Sequence, residues 1–328
     1  MKKIALLGFG NWGTNLARVL FDSGNLYSIC DTDPKRLESA RMLYPGIHTC
    51  KTAHSLPLKT IDAVVIATPA ATHYPLATKM LSFGKDAFVE KPLALSAKEG
   101  LELIRLAQRH NRILMVGHIL QYHPGILKLK KMIEAQELGR LNYIYSTRLN
   151  IGKFRKEENI LWSFAPHDIS VMLFLLNEYP EYVSCCGGSY LHKGIADITI
   201  SDLSFRSGVK AHIFVSWLHP FKEQKLIVIG EKKMIVFDDI VSEGKLTCYN
   251  HKIDILEGNF EILYKDKGNL IEFEMSEPLK NECDEFIRCI ENRVDPRTGG
   301  ENGLQVLKIL EACHASLNKK GTPKRVRI

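Results

Sequence analysis

The 328-residue sequence lacks the long apolar segment that a membrane span requires. Its longest apolar runs, such as residues 171–176, are about a third of the ~20 residues needed to cross a bilayer. It also lacks a CxxC pair, and several of its eight cysteines fall inside apolar patterns, where a free thiol packs as a small hydrophobe. We therefore expect no transmembrane helix, no metal site and no disulfide framework, but reduced thiols in a cytoplasmic protein.

Strong charge of one sign is absent from most of the chain. The 44 basic and 37 acidic residues give a net charge of +7, but the last ten positions hold five basic residues and no acid, so the remainder carries only +2. Proteins that bind nucleic acid spread basic residues along one element. A basic excess confined to one end predicts a solvated tail and no nucleic-acid partner.

The apolar pattern changes near residue 122. Over residues 3–116, short β-type runs alternate with longer helical ones, which is typical of parallel βαβ units. The predicted strands of this part are 4–7, 27–30, 63–67, 87–89 and 113–116. Beyond that point we expect helices at 124–137 and 169–176, a strand at 141–149, and a β-rich stretch to about residue 273. The spacing of its last strands favours an antiparallel meander. The pattern predicts an α/β protein whose two domains span residues 1–121 and 122–328.

A glycine motif stands between the first predicted strand and the first predicted helix. Gly8, Gly10 and Gly13 have the spacing GxGxxG, in which the glycines permit a tight turn, a close approach to pyrophosphate and close helix packing. The helix then begins near Asn11 and Trp12 with free N–H groups directed at the anion. This context predicts a Rossmann domain with a parallel sheet, followed by an α/β domain with a large, mainly antiparallel open sheet.

An aspartate sets the expected cofactor. Asp31 ends the second predicted strand, 23 residues after Gly8, where a carboxylate accepts hydrogen bonds from ribose hydroxyls and repels a 2′-phosphate. The expected cofactor is therefore NAD rather than NADP. Asp33, directly before Pro34, is interpreted as the cap of the next helix. Ser96, with Glu99 three residues later, is interpreted as the cap of a helix over residues 96–110.

Polar residues follow the later strands of the parallel sheet, where ligands bind. Thr68, Pro69 and His73 follow the predicted strand at 63–67, and Glu90 and Lys91 follow the one at 87–89. Beside a cationic nicotinamide ring and with little water, the pKa of Lys91 should fall, which suits proton exchange with a hydroxyl group. We predict cofactor contacts for all five residues, and catalysis by Lys91.

These motifs resemble the Gfo/Idh/MocA oxidoreductase family over almost the whole chain. The resemblance lies in the glycine motif, Thr68-Pro69 with His73, Glu90-Lys91-Pro92, and His167. It implies NAD(P)-dependent oxidation of a sugar or cyclitol hydroxyl, homo-oligomers formed through the open C-terminal sheet, and Lys91 and His167 as catalytic residues.

The sequence departs from the common family pattern at two positions. Ser163 stands where many members have aspartate, so a Lys-Asp-His trio is not assumed, and Gln121 stands where many have arginine. We expect Ser163 to contact substrate and Gln121 to contact cofactor. With Pro166 at a predicted helix N-terminus, the dipole would keep His167 neutral, and Asp168 would complement that dipole or orient His167.

A narrower resemblance is to nucleotide-sugar 3-dehydrogenases, including those that begin 2,3-diamino sugar synthesis for lipid A. It lies in residues 161–170 and in the basic segment before them. Four basic side chains could neutralise a diphosphate, although an exposed charged loop is the alternative: Arg148, Lys153, Arg155 and Lys156. Trp162 and Tyr122 could stack on a uracil, sugar or nicotinamide face, with Trp162 counted as a cofactor contact and Tyr122 as a substrate contact.

The expected reaction is NAD-dependent oxidation of the C3 hydroxyl of a nucleotide sugar, and the expected nucleotide sugar is UDP-N-acetylglucosamine. One alternative is an inositol or free-sugar dehydrogenase, for which the basic segment would have no phosphate to bind. Another is a dinucleotide-binding regulatory protein without catalysis, as Ser163 and Gln121 hint.

Overall fold

A computed structural model describes residues 1–152, 154, 158–255 and 261–327. The chain divides into two compact units, Met1–Tyr122 with Ser276–Leu307, and His123–Met275 with Lys308–Ile328. The first boundary lies one residue from the expected division after residue 121. Residues 276–307, which we expected in the second domain, belong to the first unit.

The first 122 residues contain alternating strands and helices. In chain order these are β1 (Ile4–Leu7), α1 (Asn11–Asp22), β2 (Leu26–Cys30), α2 (Pro34–Leu43), β3 (His48–Cys50), β4 (Ala63–Ile66), α3 (His73–Ser82), β5 (Asp86–Glu90), α4 (Ala97–Arg109) and β6 (Leu114–Gly117). The described residues form a six-stranded parallel sheet of order β3-β2-β1-β4-β5-β6. The predicted parallel fold is confirmed, although β3 was not among the predicted strands.

Side-chain caps begin two of these helices where the sequence predicts them. The Asp33 carboxylate accepts from the Lys35 N–H at the start of α2, directly before Pro34. The Ser96 hydroxyl accepts from the Glu99 N–H at the start of α4. These bonds satisfy backbone donors that the first helical turn leaves without partners, so the caps define where each helix starts.

The rest of the chain is richer in strands. Its elements are α5 (Pro124–Glu134), β7 (Leu141–Ile151), α6 (Ile160–Leu176), β8 (Pro180–Gly188), β9 (Ile198–Phe205), β10 (Lys210–Ser216), β11 (Leu218–Gly230), β12 (Met234–Asp238), β13 (Leu246–Tyr249), β14 (Lys252–Ile255), β15 (Glu261–Tyr264), β16 (Asn269–Leu270), α7 (Pro278–Asn292), α8 (Gly300–Leu317) and β17 (Lys324–Arg325). Helices α5 and α6 pack on strands of the second unit.

The described strands of the second unit form a nine-stranded mixed sheet, of order β16-β13-β12-β11-β7-β10-β9-β8-β17, and a separate β14-β15 pair. Pairing is antiparallel except between β7 and β10. The predicted continuous meander is therefore wrong, because β7 lies between β10 and β11. The expectation of a large, mainly antiparallel sheet is confirmed.

Helix α6 begins nine residues earlier than predicted. The Asn159 side chain caps it by accepting from the Trp162 N–H at 3.2 Å. Pro166 lies inside the helix, where its ring nitrogen cannot donate to the carbonyl of Trp162 four residues earlier. The proline therefore does not mark the start of the helix.

Helix α7 completes the core of the first unit. The ring of Phe286 meets that of Phe88 edge to face, with centroids 5.6 Å apart, and both side chains are fully buried. Such aromatic pairs stabilise a core beyond the area that they bury. In the described part of the chain, none of the helices has the length and apolarity of a bilayer span.

Candidate active site

The glycine-rich turn has the geometry that its spacing predicts. Gly8 has a φ of +95°, and a Cβ there would lie 2.6 Å from the Ala67 carbonyl oxygen. A Cβ on Gly13 would lie 2.0 Å from the carbonyl oxygen of Gly8. At Gly10, by contrast, the nearest atom to such a Cβ is 3.7 Å away, on Arg36. Gly8 and Gly13 are therefore required because a side chain there would clash with the backbone, whereas the space beside Gly10 is open to a ligand.

The start of α1 fits a pyrophosphate. Its first residues are Asn11, Trp12 and Gly13, and among the described residues no side chain caps the helix at Gly10. The N–H groups of the first helical turn have no partners within the helix and carry the positive end of its dipole. Uncapped N–H groups beside an open Gly10 suit a dinucleotide phosphate.

Asp31 is held by backbone donors from two loops. Its carboxylate accepts from the Phe9 N–H at 2.7 Å and from the Asp33 N–H at 2.9 Å, and the side chain is largely buried. Arg36 lies 3.5 Å from the same carboxylate, a neighbour that the sequence reasoning missed. A carboxylate fixed beside the glycine-rich turn retains acceptor sites for the ribose hydroxyls of NAD.

Glu90 connects the end of β5 to the glycine-rich turn. The Trp12 indole N–H donates to one oxygen at 2.5 Å, and the Lys91 N–H donates to the other at 3.3 Å. Burial raises the pKa of Glu90 to about 7, although the Trp12 hydrogen bond and the Lys91 charge oppose this rise. Gly117 faces Glu90 across the sheet, and a Cβ there would lie 2.9 Å from the carboxyl group.

Lys91 follows β5 directly and is half-buried, with a cis peptide bond to Pro92. His73 lies beneath this turn: its Nδ1 is 2.7 Å from the Pro92 carbonyl oxygen and its Nε2 is 2.8 Å from that of Thr68. His73 is buried and both of its ring nitrogens contact backbone carbonyls. We therefore interpret it as a residue that holds the Thr68 and Pro92 loops in place. Of its neighbours, Thr68 is half-buried and Pro69 is exposed.

Two further titratable groups of the first unit are buried. The pKa of His118, which follows β6, is lowered to about 3 by burial and then by the Lys91 charge, so its ring is neutral. The pKa of Glu282 on α7 is raised well above its usual value by burial and then by Glu90. In the sequence, His118 also follows a predicted strand at the ligand end of the sheet, but neither residue has an expected role, because burial of a polar residue cannot be read from local pattern.

Gln121 and Tyr122 lie in the interior of the first unit. The Gln121 amide donates to the Asn302 side chain at 3.2 Å. The Tyr122 ring belongs to the hydrophobic core, its hydroxyl lies 2.9 Å from that of Thr298, and Arg297 lies over the ring face. The predicted stacking role of Tyr122 does not fit this burial, which leaves no ring face for a substrate.

In the second unit, His167 lies in the middle of α6 and is half-buried. The helix-dipole argument for its neutrality is therefore wrong, because the dipole acts mainly at the terminal turns. Ser163, one turn earlier, is buried on the same helical face. Trp162 is half-buried and its ring meets that of His314 edge to face at 6.4 Å.

Arg148 and Asp168 form a buried ion pair between β7 and α6. The guanidinium donates Nε–H to one carboxylate oxygen at 3.0 Å and Nη2–H to the other at 3.3 Å. The side chains are only 11% and 5% exposed. Contrary to the prediction, Asp168 therefore does not lie in the first turn of the helix. The Arg148 guanidinium, which was predicted to bind a diphosphate, donates both of these hydrogen bonds to Asp168 instead. Lys153, Arg155 and Lys156 lie outside the described residues.

Family models match both parts of the chain. Residues 2–118 match the model described as "Oxidoreductase family, NAD-binding Rossmann fold" (GFO_IDH_MocA), and residues 126–236 match the GFO/IDH/MocA C-terminal domain. The two matched segments span more than half of the chain. The first agrees with the glycine-rich turn and Asp31 as an NAD-binding arrangement.

Characterised relatives differ in their named reactions. A 2,7-anhydro-N-acetylneuraminate hydratase of Mediterraneibacter gnavus is 26% identical, covering 78% of this chain and 71% of that protein. An inositol 2-dehydrogenase of Rhizobium meliloti is 26% identical over 97% of each chain. The UDP-N-acetylglucosamine 3-dehydrogenase of Acidithiobacillus ferrooxidans is 29% identical over 48% of this chain and 50% of that protein.

The crystal structure of that 3-dehydrogenase is also similar. It superimposes with a TM-score of 0.84 over 97% of this chain and 98% of that chain, at 20% sequence identity. At this identity, the likeness establishes the shared fold and leaves the substrate to be argued from this chain's residues.

Proposed function

Because the chain belongs to the Gfo/Idh/MocA family of NAD-binding oxidoreductases, we propose that it oxidises the C3 hydroxyl of a nucleotide sugar, UDP-N-acetylglucosamine in particular. The observation that carries the dehydrogenase chemistry is the Trp12–Glu90 hydrogen bond. It ties the residue before Lys91 to the turn that receives the dinucleotide. Lys91 is thus attached directly to Glu90, which this hydrogen bond holds beside the cofactor-binding turn.

Lys91 is the proposed proton acceptor for the substrate hydroxyl. A general base must lie within hydrogen-bond reach of the proton that it removes, and the end of β5 is where ligands of parallel sheets bind. Glu90, buried and held by Trp12, fixes the start of the lysine turn. Bound NAD+ supplies the hydride acceptor. His167 is proposed as the second proton-handling residue, on the family resemblance alone.

The nucleotide-sugar assignment is supported by residues near the start of α6. The segment 161–170 resembles the 3-dehydrogenase branch, and three cationic side chains precede it. Since Arg148 is paired with Asp168, Arg155 is the proposed diphosphate ligand, with Lys153 and Lys156 as weaker contributors. Arginine suits this role because its planar fork can donate two parallel hydrogen bonds to phosphate oxygens.

An inositol or free-sugar dehydrogenase is the second candidate. It is favoured by the near full-length match to the Rhizobium enzyme, and it requires no phosphate-binding residue. A regulatory protein without catalysis would retain NAD binding but need no lysine at position 91, and the Glu90-Lys91-Pro92 turn argues against it.

The assay that tests the proposal mixes the purified protein with NAD+ and follows absorbance at 340 nm on addition of UDP-N-acetylglucosamine, free N-acetylglucosamine or myo-inositol. We expect reduction with the UDP-sugar, and a product lighter than the substrate by two hydrogens. Equal or faster reduction with a free sugar or inositol replaces the substrate assignment. NAD+ binding without reduction by any sugar favours the regulatory alternative.

We also propose a cytoplasmic homo-oligomer that associates through the nine-stranded sheet. Half-buried rings on neighbouring strands β7 and β10 support this proposal: Tyr145 stacks on His212 at 5.0 Å, and Tyr143 lies beside both. Aromatic side chains of this kind are common in protein interfaces. Light scattering during size-exclusion chromatography measures the mass, and a monomer at micromolar concentration contradicts the proposal.

A further inference from the structure

Two cysteines end neighbouring strands beside the cofactor-binding turn. Cys30 is the last residue of β2, Cys50 is the last residue of β3, and the two are direct partners in the parallel register. Side chains at partner positions point to the same face of a sheet, and neighbouring strands lie about 4.8 Å apart. This spacing falls within the Cα separations of about 4.4–6.8 Å that disulfides span.

The two thiols interact with each other. The nearby Cys50 thiol raises the pKa of Cys30, with burial adding to the rise, and the nearby Cys30 thiol lowers the pKa of Cys50. A thiolate is the nucleophile in thiol–disulfide exchange, so Cys50 is the attacking residue of this pair. Both residues are buried but not sealed, with 6% and 7% of their surfaces exposed.

The backbone of the same two residues supports the cofactor site. The Cys30 carbonyl accepts from the Gly8 N–H at 2.8 Å, and the Cys50 carbonyl accepts from the Asp31 N–H at 3.2 Å. One bond holds the first glycine of the turn, and the other holds the carboxylate-bearing residue beside it. A displacement of either strand end therefore reaches both elements that receive NAD.

We propose that Cys30 and Cys50 are a redox modification site, at which a small-molecule disulfide converts the pair into an intramolecular disulfide that weakens NAD binding. The Cys50 thiolate attacks the reagent RSSR, forming Cys50–S–SR and releasing RS⁻. Cys30 then loses its proton to solvent and displaces a second RS⁻. The two cysteine thiols together lose two electrons and two protons, and the reagent is reduced to two RSH.

The expected effect on NAD follows from geometry. Disulfides most often hold their Cα atoms about 5.5–6 Å apart, which is more than the ~4.8 Å between neighbouring strands, so the bond pushes the ends of β2 and β3 apart. Because β3 is at the edge of the sheet, it has only one strand to hold it and is the strand that moves. Movement of Cys50 shifts its carbonyl and therefore Asp31.

The remaining thiols provide internal controls. Cys185 and Cys186 are consecutive in β8, so their side chains point to opposite faces of the sheet and do not pair. Cys186 is exposed and should form a mixed disulfide with the reagent. Reaction there adds mass, whereas closure of the proposed pair removes two hydrogens, so the two outcomes are separable by mass spectrometry.

The test treats the reduced full-length protein with oxidised glutathione. We expect a species about 2 Da lighter at the closed pair, in addition to any glutathione adduct. In a non-reducing tryptic digest, the peptide of residues 19–35 should be joined to that of residues 42–51. The dissociation constant for NAD should rise about tenfold or more and return to its initial value with dithiothreitol.

Cys50→Ser should abolish the linked peptides and keep NAD affinity constant under oxidant, whereas Cys186→Ser should behave like wild type. If Cys50→Ser fails to fold by circular dichroism, peptide mapping and NAD titration of the wild type still decide. Absence of the linked peptides overturns the proposal, and so does closure of the bond without loss of NAD affinity. Because NAD binding is first measured on the reduced protein, failure here is distinct from failure of the dehydrogenase assignment.

Discussion

The indole of Trp12 donates a hydrogen bond to the carboxyl group of Glu90, 78 residues further along the chain. It joins the first turn of α1 to the last residue of β5. The same carboxyl group is buried, next to the charge of Lys91, and influences the pKa of Glu282. The protonation state of Glu90 is therefore linked to Trp12, Lys91 and Glu282.

Glu90 should make stability depend on pH. Its pKa is raised from 4.5 to about 7, so the folded protein binds this proton more tightly than the unfolded chain. The resulting stabilisation is complete below about pH 4.5 and is lost as pH rises through 7. Glu90→Gln should remove this dependence, which amounts to about 3 kcal/mol at most.

The measurement is the free energy of unfolding of wild type and Glu90→Gln in denaturant at several values between pH 4.5 and 8. Exposed Glu38 on α2 supplies the matched control, Glu38→Gln. Parallel pH profiles for wild type and Glu90→Gln would contradict the raised pKa.

Lys91→Ala should leave NAD binding largely intact and lower turnover by about 10²- to 10⁴-fold, which is the usual contribution of a general acid–base group. Lys98→Ala, on the first turn of α4, is the matched control and should retain full activity. The check is kcat with the best substrate, alongside NAD titration. Near-normal turnover in Lys91→Ala would remove this lysine from the mechanism.

Asp31→Ala should weaken NAD binding and reduce discrimination against NADP. The substitution removes the acceptor for ribose hydroxyls and the charge that repels a 2′-phosphate. It also removes one of the two carboxylates paired with Arg36, leaving only Asp33 at 3.7 Å, so that the guanidinium is better able to meet that phosphate. Titration of both cofactors against wild type and Asp31→Ala tests this, with Asp22→Ala as a surface control. Wild-type preference for NADP would show that Asp31 has been misinterpreted.

Loss of one partner from the Arg148–Asp168 pair should destabilise the protein strongly. Asp168→Ala leaves a buried guanidinium without its carboxylate, at a cost of about 3–5 kcal/mol. Arg206→Ala breaks an exposed pair with Glu181 and should cost less than about 1 kcal/mol. Denaturant unfolding of both variants provides the comparison, and equal small losses would mean that the buried pair is not structural.

Arg155→Ala should raise the KM for a UDP-sugar with little effect on kcat, because binding common to the ground and transition states is lost. The lost charged contact corresponds to about 2 kcal/mol. Arg155→Lys should recover part of this loss, since a lysine lacks the planar fork. Arg105→Ala, on the exposed face of α4, is the control. A silent Arg155→Ala would remove the nucleotide-sugar assignment and leave the dehydrogenase assignment in place.

Local signals were sufficient for the cofactor-binding part of the fold. The GxGxxG spacing, the aspartate at the end of β2 and the caps at Asp33 and Ser96 all concern neighbouring residues, and the structure has them as predicted. Strand β3 was missed because its three residues are too few to show a period.

The errors arose where distant residues decide the structure. Pro166 has the local signature of a helix start, but the α6 cap at Asn159 extends the helix past it. The insertion of β7 between β10 and β11 joins segments some 70 residues apart. Likewise, nothing near Arg148 in the sequence indicates that its partner is Asp168 rather than a ligand.

The return of α7 to the first unit has a consequence for biosynthesis. Phe88 emerges from the ribosome almost 200 residues before Phe286, the ring that covers it in the finished core. The core that covers the dinucleotide-binding sheet therefore remains incomplete while the whole intervening segment is being translated. A nascent chain halted between residues 118 and 277 should expose the apolar face that α7 covers and should depend on chaperones.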